Sequence, residues 1–210
     1  MGERAHPEDP DFQDRWVWSR RCKGLIPWPR YVRSPWRRGL FERYAFCQPY
    51  AAGKQVLDIP CGVGWGTSLL TGTRRLVGID VSEEAIEYAR SHYGDKAEFM
   101  QGDMRKLNLP SESFDLVICA EGIEHVPVDV GEQFVREAAR VLTSNGRIIV
   151  TSPLPDPKRA ANPYHVHEYT LEELEALLKG YFSQELCETY YVQRVPIIYY
   201  VGIARKGLRA

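Results

Sequence analysis

The stretch VLDIPCGVGWG, Val56 to Gly66, constrains this chain more than any other. An apolar strand, Gln55–Ile59, runs straight into a loop with glycines at Gly62, Gly64 and Gly66. Glycine has no Cβ, so such a loop turns tightly and lets a ligand approach its backbone. A strand ending in this way belongs to an open sheet whose ligand sits beyond the carboxyl ends of the strands.

The residues after the loop extend the pattern. Arg75–Asp80, Ala97–Gln101, Phe114–Ala120 and Arg147–Ser152 read as further strands. FDLVICA (Phe114–Ala120) is almost continuously apolar, as a strand buried on both faces must be. Helices are expected between the strands. Gly64–Leu70 opens the first. Ser82 caps the second, with Glu83 and Glu84 in its first turn and an apolar stripe of Ala85, Ile86, Ala89 and Tyr93. Phe134, Ala138, Val141 and Leu142 carry the third, which Asn145-Gly146 ends. Thr170 starts a fourth, with Glu173 completing a capping box and Leu171, Leu174, Leu177 and Leu178 buried. Gln184–Gln193 and Ile197–Arg205 read as two final strands. Strand–helix alternation predicts an α/β fold: a doubly wound, Rossmann-like, mostly parallel sheet. Pro153–His167 is a polar, proline-containing loop long enough to carry function.

Residues 1–54 are expected to form an N-terminal extension or cap, and residues 55–210 the ligand-binding domain. Met1–Arg38 is rich in Pro, Arg and Trp and lacks periodicity. From Arg15 to Lys54 there are ten Lys or Arg against a single acid, Glu42, and four of the 5 tryptophans lie in the same stretch. That is either a solvated surface or an anion-recognising cap. The whole chain carries a net charge of -1, which selects neither nucleic acid nor membrane. Its longest apolar stretch, Val195–Ala204, is broken by Pro196 and Gly202 and falls short of the ~20 residues of a membrane helix. MGERAHPEDPDF lacks the apolar core of a signal peptide. The five cysteines, Cys22, Cys47, Cys61, Cys119 and Cys187, are scattered and odd in number, which fits a reducing cytoplasm.

The loop selects its ligand by what surrounds the glycines. Thr67 stands where a dinucleotide-binding motif wants its third glycine. Asp58 precedes the glycines; its charge opposes a pyrophosphate and suits the cationic end of S-adenosylmethionine. Asp80 ends the second strand, about 20 residues on, where a carboxylate accepts ribose hydroxyls. A nicotinamide oxidoreductase is therefore the weaker reading.

VLDIPCGVGWG, VGIDVS, GDM at Gly102–Met104, FDLVICAEGIEHV and RVLTSNGRIIVTSP together resemble the ordered motifs of class I S-adenosylmethionine-dependent methyltransferases, over roughly Lys54–Phe182. The resemblance implies a seven-stranded sheet whose last two strands form an antiparallel hairpin at one edge. It implies that Asp58, Cys61 and the Gly62–Gly66 backbone, Gly64 included, line the methionine end of the cofactor. Asp80 and Val81 would hold the ribose, Asp103 and Met104 would meet the adenine, and Glu121 would help hold the cofactor. Pro60 departs from the family's usual Gly or Ala; it removes a donor and fixes φ. SPWRR at Ser34–Arg38 and ERYAFC at Glu42–Cys47 resemble elements of bacterial glycan- and natural-product-associated methyltransferases, with Arg37, Arg43 or Tyr44 as candidates for the cofactor carboxylate.

Three readings of the acceptor side stay open. Glu121, Glu124 and His125 form E-x-x-E-H after the fourth strand, and His165 and His167 follow in NPYHVHEYT. Glu121 helps hold the cofactor, Glu124 and His125 make local hydrogen bonds, and His165 and His167 are loop surface; or His125 or a loop histidine such as His167 is a general base toward a hydroxyl; or Glu121, Glu124, His125 and His165 bind a divalent metal that acidifies it. The last pattern resembles the metal set of small-RNA 3′-terminal 2′-O-methyltransferases, and a similar E-x-x-E-H occurs in ubiquinone-biosynthesis O-methyltransferases. The expected activity is methyl transfer to a hydroxyl of a small molecule, sugar or glycan precursor, with no membrane insertion and no clear nucleic-acid partner. An RNA 2′-O-methyltransferase, binding through Arg15–Lys54 with strong salt dependence, and a non-catalytic cofactor-binding partner protein are the alternatives.

Overall fold

A computed structural model describes residues 35–158, 162–192 and 195–205. A helix, α1 (Pro35–Ala51), precedes β1 (Gln55–Asp58). There follow β2 (Arg75–Asp80), α2 (Glu83–Tyr93), β3 (Glu98–Gln101), β4 (Phe114–Ala120), α3 (Val128–Val141), β5 (Leu142–Pro153), α4 (Leu171–Lys179), β6 (Phe182–Val192) and β7 (Val195–Ala204). The strands form one 7-stranded sheet in the order β3-β2-β1-β4-β5-β7-β6. Neighbours from β3 to β5 pair parallel, and β7 enters antiparallel between β5 and β6. This is the expected Rossmann-like sheet with its C-terminal antiparallel hairpin. Chain order reverses between β1 and β4, which opens a crevice at their carboxyl ends.

Period-two alternation explains the apolar runs. In β4, Val117 and Cys119 point into one core with α3 and α4, where Phe134, Ala138, Val141, Leu174 and Leu178 pack. Leu116, Ile118 and Ala120 point into the other, against Tyr44, Cys47 and Ala51 of α1. Both faces are covered, so the buried positions of the strand are apolar; the one charged residue, Asp115, is half-buried near its start, where it accepts from the Gln55 amide and pairs with Arg74. The Ser82 hydroxyl caps α2 by accepting from the Ala85 amide at 3.3 Å, and Thr170 and Glu173 form the expected capping box of α4.

Three local differences from the sequence expectation stand out. The helix expected over Gly64–Leu70 is a single 3-10 turn, Thr67–Leu69. Leu70 already has extended dihedrals (φ -75°, ψ 131°), and Gly72 follows with φ +67°. The third helix ends at Val141, and β5 begins at once with Leu142; Asn145-Gly146 lies within the strand's irregularity rather than closing a helix. The pairing jumps there from Phe114↔Leu142 to Leu116↔Arg147. A Cβ on Gly146 would come within 2.8 Å of Leu142 Cδ2, so the glycine permits that close fold-back. The largest difference is α1, a 17-residue helix in a stretch where the sequence pattern showed no element. The tryptophan-rich stretch before residue 35 lies outside the described residues, as does the side chain of Arg37. No helix among the described residues is long and apolar enough to cross a membrane.

Candidate active site

The glycine loop is shaped by two different demands. Gly62 and Gly64 take φ of +55° and +79°, which favour glycine. A Cβ on Gly62 would meet nothing within 4 Å, so this glycine opens the loop toward the cavity it lines. Gly66 is different: its φ of -61° and ψ of -48° suit any residue. It is glycine because the Tyr44 ring lies against its Cα, where a Cβ would collide with Tyr44 Cε2 and Cζ. Pro60 follows a cis peptide bond and packs on Gly122. The amides on either side remain satisfied, Ile59 by the Ile118 carbonyl at 2.9 Å and Cys61 by the Ile79 carbonyl at 2.8 Å.

Asp58 sits beneath this loop, 0% exposed. Its Oδ2 accepts from the Tyr44 hydroxyl at 2.8 Å and from Thr67 Oγ1 at 2.5 Å. Oδ1 is buried without a partner among the described residues. Burial pushes the Asp58 pKa up to about 7, with the Asp80 charge adding to it and the Thr67 and Tyr44 hydrogen bonds pulling the other way. Burial also raises the Tyr44 phenol, helped by the Asp58 charge. Asp80 closes the loop from the other side, its Oδ2 accepting from the Gly62 amide and its Oδ1 from the Ser82 amide, both at 2.9 Å.

A cavity of about 680 Å³ lies over the sheet's switch point. Of the residues expected at the cofactor, Cys61, Gly62, Asp80, Val81, Met104 and Glu121 line it. Asp58 and Gly64 stand outside its lining, and the Asp103 carboxylate is gripped by the Arg105 guanidinium, whose hydrogen bonds lower its pKa. The donor cradle fits a ligand with a cationic centre and a ribose: it offers exposed glycine backbone and carboxylates rather than a cluster of cations.

On the acceptor side, Glu121 has φ +52° at the end of β4. Its Oε2 accepts from Arg43 Nη2 at 2.7 Å, and its Oε1 accepts from Thr151 Oγ1 at 3.1 Å. Glu124 is 0% exposed, and neither of its oxygens has a hydrogen-bond partner among the described residues. Burial raises its pKa well above the carboxylate range, and the Glu121 charge adds to that. His125 Nδ1 lies 3.0 Å from the Tyr164 carbonyl. A carbonyl can only accept, so Nδ1 carries the proton and Nε2 is the basic nitrogen. That Nε2 lies 3.9 Å from Glu124 Oε1. His165 packs edge-on to His125, with ring centroids 4.9 Å apart. Its Nδ1 donates to Glu168 Oε1 at 2.6 Å, and its Nε2 accepts from Asn162 Nδ2 at 3.0 Å.

Of the four residues expected as metal ligands, Glu124, His125 and His165 bring donor atoms within 4.8 Å of one another. Glu121 is not in that group and is engaged by Arg43. His125 lines the cavity, whereas His167 does not; it packs edge-on against Tyr169, with Nε2 3.7 Å from Glu173 Oε2. Thr151 and Glu168 were not singled out from the sequence, and Thr67 was noted only as standing in place of a third dinucleotide-motif glycine. Only Glu168 left a signal there, three residues after His165 and beside Tyr169.

The sequence profile of the methyltransferase-domain family matches residues 57–150. A protein of Mycobacterium tuberculosis strain H37Rv, named a "probable S-adenosylmethionine-dependent methyltransferase", is 31% identical over 172 residues. The match covers 78% of this chain and 62% of that protein, so the chain spans less than two thirds of this relative's length. A protein of Bacillus subtilis strain 168 named "uncharacterized methyltransferase YcgJ" is 30% identical over 188 residues, covering 82% of this chain and 72% of that one. Among solved structures, the PH0226 protein of Pyrococcus horikoshii OT3 superposes with a TM-score of 0.69 at 26% identity, over 83% of this chain and 93% of that one.

Proposed function

We propose, because the chain belongs to the class I S-adenosylmethionine-dependent methyltransferase family, that it transfers a methyl group to a hydroxyl of a small acceptor. What supports the hydroxyl is His125, which lines the cavity: the Tyr164 carbonyl holds its Nδ1 proton and leaves Nε2 as the nitrogen able to accept one. S-adenosylmethionine supplies an electrophilic sulfonium methyl when bound. The loop, Asp80 and Met104 would hold it from one side, leaving the other to the acceptor. His125 Nε2 would take the acceptor hydroxyl's proton as that oxygen receives the methyl group. Positioning supplies most of the acceleration, up to roughly 7–11 kcal/mol. The α1 helix closes the cavity through Leu40, Arg43 and Tyr44. The basic stretch before it would complete a cap over the acceptor. The scattered cysteines favour a cytoplasmic setting.

His125→Ala tests this. The expected result is a kcat lower by at least about a hundredfold with unchanged S-adenosylmethionine affinity in calorimetry. Unchanged kcat, or bound cofactor never consumed with any acceptor, overturns it.

A second reading has its own observation. The Glu124 oxygens lack protein donors, and with His125 and His165 they offer three groups to a divalent cation, leaving positions open as catalytic metal sites do. Such an ion would acidify the acceptor hydroxyl. Its cost is the His165 ring, already held by Glu168 and Asn162. Metal analysis of protein purified without chelator decides it, and a metal-free, active protein sinks it.

A further inference from the structure

The acceptor's chemical class can be read from the half of the cavity that the donor loop does not use, given the methyl-transfer reading above. The sheet order divides the cavity. Cys61, Gly62, Asp80, Val81 and Met104 lie over or just beyond the tips of β1, β2 and β3. The other half lies over β4, β5, β7 and β6. Because β7 runs antiparallel, its first residues arrive where β5 ends: Pro153 pairs with Ile197, and Val192 at the end of β6 pairs with Val195. These four residues, with Leu40 of α1, give that half an aliphatic wall.

The facing wall is polar, and it is largely spent on itself. Arg43 is paired with Glu121 through Nη2, while its buried Nε has no partner among the described residues. Asn162 gives its amide to His165, and its Oδ1 accepts from the Tyr164 amide at 3.0 Å. His125 Nδ1 is held by the Tyr164 carbonyl. His125 Nε2 is left without a hydrogen bond among the described residues, Tyr164 lines the cavity as an exposed side chain, and the Glu124 carboxyl is fully buried. A ligand in this half therefore meets one polar spot on one side and aliphatic carbon on the other. A sugar carries hydroxyls around its whole ring, and several would be buried without partners against Val192, Val195 and Ile197.

We propose that the acceptor is a largely apolar small molecule with an isolated hydroxyl, an aliphatic chain or aromatic ring. Its body lies on Leu40, Val192, Val195 and Ile197, and its hydroxyl meets His125 Nε2.

The test uses the full chain with S-adenosylmethionine and measures S-adenosylhomocysteine release. Probes are 3-hydroxydecanoate and a naphthol against a methyl hexoside and a nucleoside-diphosphate hexose. An apolar probe should exceed both sugars in kcat/KM by about a hundredfold, the scale of discrimination of a pocket built for one chemistry. Val195 is half-buried at the start of β7. Val195→Asp should raise KM for the apolar probe by about tenfold or more. Its kcat and S-adenosylmethionine affinity should hold, and Val195→Ile should restore KM. Faster turnover of the sugars, or an unchanged KM in Val195→Asp, overturns the inference and leaves methyl transfer standing. Should no probe be turned over, the methyl-transfer reading is what fails. The apolar pocket is then judged by quenching of Trp65, which lines the cavity. Naphthol that does not bind the S-adenosylhomocysteine-loaded protein overturns it.

Discussion

The Tyr44 hydroxyl donates to Asp58 Oδ2 at 2.8 Å, joining a helix that precedes the sheet to the strand end beneath the glycine loop. Thr67, from the far side of the loop, reaches the same oxygen. One buried carboxylate thus ties together three segments that approach it from different directions. Tyr44→Phe removes one of its two side-chain donors. Loss of a hydrogen bond to a buried carboxylate should cost about 1–3 kcal/mol. Urea unfolding should show the loss, and calorimetry should show weaker S-adenosylmethionine binding. Unchanged stability would mean that Thr67 alone suffices.

The raised Asp58 pKa has a sign that can be checked. Its folded value, about 7, lies above the ordinary value of 3.8. Between those values the folded state holds a proton that the unfolded state has released, so this group's contribution falls as pH rises through the window. The cost is complete above pH 7 and absent below the unfolded pKa. Asp58→Asn removes the titration. The variant's stability relative to the parent should therefore improve from pH 4 to pH 7, by up to about 4 kcal/mol. A parent-minus-variant difference that is flat with pH contradicts the shift.

Gly66 yields a prediction about packing alone, because its backbone is already in a common conformation. Gly66→Ala drives a methyl group into the Tyr44 ring. Overpacking of this kind costs about 1–3 kcal/mol. In a Tyr44→Ala background the same change should cost at least about 1 kcal/mol less, measured as a double-mutant cycle. Additive effects would show that the two residues do not press on each other.

Glu168 holds His165 Nδ1 at 2.6 Å, and His165 in turn packs against His125. Glu168→Gln should loosen that ring. We expect kcat/KM for the acceptor to fall by about tenfold with cofactor affinity unchanged, the scale of loss seen when an outer partner of a site histidine is removed. An equal loss of cofactor affinity would place the disturbance elsewhere.

Much of the sheet was legible because its residues answer to one demand each. FDLVICA must be apolar on both faces, and Thr170 with Glu173 caps a helix by local hydrogen bonds alone. The residues that were hard to read answer to two demands. In α1 the buried positions Tyr44, Cys47 and Ala51 keep helical spacing, but the buried Arg43 breaks the apolar pattern and the exposed Pro49 is a poor helix residue. Arg43 is inside because Glu121, 78 residues away, neutralises it. Asp58 read as a residue facing the cofactor, yet it lies outside the cavity lining and binds Tyr44 and Thr67. No local rule in the sequence reveals a partner that only the folded sheet brings near.

The position of α1 also bears on where a self-sufficient unit begins. The family profile matches residues 57–150, and that segment holds most of the ordered motifs that carry the family resemblance. Excised, it would leave Asp58 without the Tyr44 phenol and Glu121 without its counter-charge. Sequence recognisability and physical autonomy thus have different borders here, and the second begins at least one helix earlier.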